Sequence, residues 1–163
     1  MSRRVLACIA MGFLPALLSA APKPAAPRYV PRFEAVAETK LLMEGLAQSN
    51  YRGLEGLLKK EPADSEAWAF ARGQALLIAE TGNLLLLRPP RTAEGQDAWF
   101  QRATDLRNAA AALARSAGAQ DYARSRAGLA DVANSCNRCH QTFRVAVRVG
   151  AAGRDAPCSR CAC

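Results

Sequence analysis

Apolar residues recur at three- and four-residue steps through four long stretches of this 163-residue chain, and that period points to helices. In the first stretch, 32–60, Val36, Met43, Ala47, Asn50, Leu54 and Leu57 fall on one line, widened by Leu42, Leu46 and Leu58. Trp68, Ala71, Ala75, Ile78 and Ala79 do the same over Ser65–Leu86. The third stretch, 94–117, lines up Trp99, Phe100, Ala103, Leu106, Ala110 and Leu113, and the fourth, 120–148, Tyr122, Leu129, Val132, Cys136, Cys139 and Phe143. Pro62, the Arg88-Pro89-Pro90-Arg91 run and Gly118 separate them, because proline lacks the amide proton and glycine tolerates the backbone reversal a helix end needs. Asp64 or Ser65 can cap the second helix and Thr92 the third. β-Branched residues are scarce outside 145–149, which disfavours sheet. Each segment makes a helix of at least about 30 Å. The expected fold is an all-α antiparallel four-helix bundle over 32–148. Gly45, Gly53 and Gly56 weaken the first helix and leave room for something bulky beside it.

The ends of the chain read differently. Arg3 and Arg4 followed by an apolar run over 5–20 and small residues form a secretory signal over 1–21, with Cys8 inside it. The run is too short, and broken by Pro15, to span a membrane well. A Pro/Ala-rich linker follows at 22–31, and a tail with Cys158, Cys161 and Cys163 occupies 149–163. The expected location is the periplasm. Loss of Arg3 and Arg4 lowers the formal charge from +8 by two, still basic enough to steer the chain toward acidic partners. The arginines are spread over helical faces without interleaved aromatics, so nucleic-acid binding is not expected. No general acid–base pair, nucleophile–base pair or phosphate loop stands out, so neither is enzymatic activity.

The chemistry concentrates in 135–144, SCNRCHQTFR, which holds the only histidine. C-x-x-C-H is the attachment signature of c-type haem: Cys136 and Cys139 share one side of a helix, reach two vinyl groups, and leave the adjacent His140 to supply nitrogen to iron. Zinc is the rival. Cys136, Cys139, Cys158 and Cys161 match a four-cysteine zinc spacing, and the alternation over 143–149 allows a short strand between the pairs. Four thiolates suit a reducing compartment, however, and this reading leaves His140 without a purpose. A disulfide between Cys136 and Cys139 is a third reading.

The late C-x-x-C-H, followed by Phe143 and Arg144 on the fourth amphipathic segment, resembles the class II cytochromes c, the cytochrome c′ family. The resemblance covers 32–148 and implies one covalently attached haem c on Cys136 and Cys139, with His140 as the proximal ligand. It gives Arg144 a position at the haem edge; an ordinary solvated helix-end arginine is the other reading. The family divides over the sixth iron position, which some members fill with a methionine of the first helix and others leave open. Met43 is the only methionine outside the signal, so it is the expected distal ligand. The alternatives are core filling by Met43 and ligation by Lys40. A histidine–methionine iron implies single-electron transfer between periplasmic redox partners with acidic docking surfaces. An open iron implies a module binding nitric oxide or carbon monoxide. Many members dimerise through helices one and two, so the resemblance also implies a homodimer as one assembly.

Overall fold

A computed structural model describes residues 33–150. The signal and linker segments and the tail cysteines lie outside the described residues. Four helices pack against one another, with no strand among the described residues. Helix α1 is continuous over 39–57 and has three parts: an α-helical turn Thr39–Leu42, a π-helical turn Met43–Gln48 and an α-helical stretch Ser49–Leu57. Helix α2 is Ser65–Leu86, α3 is Gln96–Gly118 and α4 is Tyr122–Thr142. The protein is a four-helix bundle.

Polar contacts fix how the ends meet. Arg88, just past α2, donates from Nε to the Ala37 carbonyl at 3.1 Å, joining the end of α2 to the start of α1. Trp99 Nε1, in the first turn of α3, donates to the Leu85 carbonyl at 2.7 Å. Its ring meets Phe143, at the end of α4, edge-on with centroids 5.2 Å apart. At the opposite end, Tyr122 Oη and Arg126 Nη1 both reach the Leu58 carbonyl at 3.2 Å. The helices therefore alternate in direction, and the start of α1 shares one end of the bundle with the end of α4.

The core runs through all four helices: Leu54 and Leu58 at the end of α1, Ala71, Ala75 and Ile78 from α2, Ala110 and Leu113 from α3, and Val132 from α4 are buried almost completely. Alanine lets the helices approach closely, and α2 and α3 make the most extensive contact. At their crossing a Cβ on Gly82 would stand 2.8 Å from the Arg107 backbone nitrogen and 2.9 Å from the Ala103 carbonyl oxygen, so no side chain fits. In α1 only Gly53 has such a neighbour, the Gln74 side chain; a Cβ on Gly45 or Gly56 meets nothing within 4 Å.

Helix boundaries were legible to different degrees. Asp64 caps α2 by accepting from the Ala67 amide at 2.8 Å, as expected. The third helix starts later than 94, with Gly95 in a left-handed conformation (φ +86°) as its N-cap, so Thr92 is not the cap. The left-handed residue after α3 is Gln120 (φ +56°), two residues beyond Gly118. The fourth helix ends at Thr142 rather than at 148, and 143–149 is irregular rather than a strand.

The first helix departs furthest. It begins at Thr39, which leaves Val36 outside it and 94 % exposed. The π turn then changes its register. At about 100° per residue, a regular helix puts Met43 within roughly 20° of Leu54 and turns Leu42 roughly 120° away. One turn closed by i→i+5 bonds holds an extra residue and sets the phase back by about 100°. Leu42 thereby joins the buried face, at 7 % exposure, and Met43 moves to its margin. The widened turn is supported by side chains: Ser49 Oγ donates to the Glu44 carbonyl at 3.2 Å and Asn50 Nδ2 to the Leu46 carbonyl at 2.7 Å.

Candidate haem site

Cys136, Cys139 and His140 lie in the last two turns of α4, each partly buried. Both cysteines are free thiols. The disulfide reading therefore finds no support in this structure. Burial pushes the Cys136 thiol up to about 12, with Cys139 beside it adding to the rise. Cys139 is raised as well, again through burial, with Arg102 acting in the opposite direction. Both are thus neutral thiols at ordinary pH.

His140 is held at two points. Its carbonyl accepts from the Val145 amide at 2.7 Å, while the Arg144 amide reaches the Gln141 carbonyl at 3.3 Å. These two bonds form a Schellman cap with Arg144 left-handed (φ +56°). Its ring Nδ1 is 2.9 Å from the Val147 carbonyl oxygen. A carbonyl only accepts, so Nδ1 carries the proton and donates, and the neutral ring keeps its lone pair on Nε2. That is the tautomer a metal-binding imidazole needs. Arg144 itself is exposed, and its backbone stops the helix.

The donor set fits a c-type haem. Two thiols three residues apart and an imidazole with a free Nε2 stand at the bundle end that Trp99 and Phe143 wall with aromatic surface. Arg102 in α3 lies close enough to Cys139 to act on its charge, and its Nε is buried without a hydrogen-bond partner. An orphaned guanidinium N–H there suits a group carrying carboxylates. Among the described residues no three His, Cys, Asp or Glu side chains gather as a metal cluster; Cys158 and Cys161 of the zinc pattern lie outside them.

The sequence model described as Cytochrome C' matches residues 91–144, from the turn before α3 to the residue that stops α4. The match supports a class II cytochrome c family for the chain. That match implies a covalently bound c-type haem. No curated protein and no solved structure matches the chain. Met43 is placed at the start of the π turn, partly buried and packed against the core, at the bundle end that holds His140. Lys40 lies one turn earlier, 2.7 Å from Glu44 in an exposed ion pair. No helix among the described residues is long and apolar enough to cross a membrane.

Sequence reasoning did not reach Asn137, Val147 or Arg102. Asn137 is an unspecified position of C-x-x-C-H, Val147 acts through its backbone, and Arg102 is one of many helical arginines. None carries a signal of its own in the sequence.

Proposed function

We propose that this cytochrome is a periplasmic single-electron carrier with one haem c bound through Cys136 and Cys139, His140 as proximal ligand and Met43 as the sixth. The observation that carries this reading is the commitment of His140 Nδ1 to a carbonyl, which leaves Nε2 free beside the two thiols. When bound, the haem supplies the one-electron couple of its iron. The chain's own residues orient the imidazole through Val147, cover the site with Trp99 and Phe143, and present positive charge around it. From Val132 to Gly150 the sequence holds Arg138, Arg144 and Arg148 and no carboxylate, a surface suited to acidic redox partners. Exposed Val145 and Val147 give that surface a small apolar centre.

A second reading, nitric oxide or carbon monoxide binding, is favoured by one feature. Met43 belongs to a widened turn at the margin of the core, so the sixth position is less firmly furnished than the fifth. The absorption spectrum of the exported holoprotein separates the two. Sharp, split visible bands on reduction are expected for the low-spin carrier. A broad high-spin band would make gas binding the function, and absence of a Soret band would remove both.

A further inference from the structure

The chain does not simply end its fold at α4. After the helix stop, residues 145–150 turn back and lie along it. Asn137 holds them there from both sides of its amide: Nδ2 donates to the Val149 carbonyl at 2.9 Å, and Oδ1 accepts from the Val149 amide at 2.9 Å. This is the pairing one strand makes with another, supplied by a single side chain. Val149 packs against the core, and Gly150 is left-handed (φ +92°), where a Cβ would stand 3.4 Å from Ala133 Cβ and Tyr51 Oη. Arg148 Nη1 closes the strap on itself, reaching the carbonyls of Val145 at 3.2 Å and Val147 at 3.3 Å. Between the Schellman cap and the Asn137 clamp, the Val147 carbonyl has little freedom, and it is the acceptor for His140 Nδ1.

We propose that Asn137 is a positioning residue for the haem iron: by clamping Val149 it fixes the strap whose Val147 carbonyl holds the His140 imidazole in its Nδ1–H form. The strap lies beyond the segment that matches the family model, while Asn137 lies within it. Asn137 bonds to the Val149 backbone and not to the imidazole, so it acts through the strap. A carbonyl on Nδ1–H makes the imidazole a stronger donor, which favours ferric iron and lowers the reduction potential. The inference rests on haem ligation by His140.

Two variants of the holoprotein test it, Asn137→Leu and a chain ended after Val145, which keeps the helix cap but removes the Val147 carbonyl. The readouts are the reduction potential, the ferrous iron–histidine stretching frequency recorded with Met43→Ala added to parent and variants alike so that the iron is five-coordinate, and, for Asn137→Leu, tryptic cleavage after Arg148. In Asn137→Leu the frequency should fall, the potential should rise and cleavage should quicken. The shortened chain should show the same two spectroscopic and redox shifts, and adding Asn137→Leu to it should change nothing more. Asn137→Asp, which still accepts from the Val149 amide, should lie between parent and Asn137→Leu. Unchanged tryptic protection in Asn137→Leu would overturn the clamp, and parental frequency and potential in the shortened chain would overturn the role of Val147. A parent without a Soret band would instead defeat haem ligation itself, so the two failures are distinguishable.

Discussion

The two bundle segments that meet the proposed haem are built to different standards. On the His140 side, the imidazole, the helix stop and the strap are tied by hydrogen bonds of 2.7–3.3 Å, all within residues 137–149. On the Met43 side, a π turn carries the residue, Leu41 beside it is 59 % exposed, and Gly45 has open space around its Cα. Hydrogen-bonded ligands are fixed before the metal group arrives, whereas a residue at the margin of a core can be repositioned at small cost. The proposed fifth ligand is thus held by the apoprotein's own geometry, and the proposed sixth is adjustable.

The largest expected effect tests the fixed side. Cys136→Ser combined with Cys139→Ser should abolish covalent haem attachment, read as loss of haem stain on a denaturing gel. Haem retained under those conditions would show that the thiols are not its anchors. On the adjustable side, Met43→Ala should convert a low-spin spectrum to high-spin. It should raise carbon monoxide affinity by roughly tenfold for each 1.4 kcal/mol that the methionine–iron bond contributes. A parent that binds carbon monoxide as readily as the variant would sink Met43 ligation.

The register of α1 can be checked by stability. Leu42→Ala should cost about 2–4 kcal/mol, as for a buried leucine, and Leu41→Ala within about 0.5 kcal/mol. A regular helix would turn Leu42 toward solvent, so a small cost at Leu42 would remove the π turn. Smaller still are the effects at the two left-handed stops, Gln120 and Arg144. Replacing either with glycine relieves backbone strain and should stabilise the fold by about 1 kcal/mol in denaturant titration. Only Arg144→Gly should also move the reduction potential if that arginine lies at the haem edge; equal potentials would leave it a helix-end residue.

The thiols give a pH test in the haem-free chain. Cys136 binds its proton more tightly when folded, so the folded state holds more protons than the unfolded one above pH 9. Stability contributed by the buried thiol should be intact below pH 9 and decline as pH rises toward about 12. Cys136→Ser should flatten that decline. An identical alkaline profile in the variant would assign the loss to other groups.

How much was legible follows from the range of the interactions. The second helix could be bounded because its cap, Asp64, lies three residues from the amide it accepts from, within one turn. That Cys136, Cys139 and His140 lie together on one helix was legible for the same reason, since positions i, i+3 and i+4 are neighbours within one turn. The end of α4 was overrun because Val145 and Val147 kept an apolar pattern after Arg144 had already turned left-handed. Asn137 was invisible because its partner lies twelve residues on, across a reversal that no local pattern announces.

By itself the sequence determined an all-α chain of four long helices, the haem-binding signature and the one methionine available to a distal iron position. Those follow from period, spacing and composition, which are local. Only the tertiary structure decided that Leu42, which periodicity placed at the edge of the apolar face, lies deeper in the core than Met43, and which nitrogen of His140 is left free. Both depend on groups distant along the chain: a helix phase set by packing against the rest of the bundle, and a carbonyl brought to the ring by a strap clamped elsewhere.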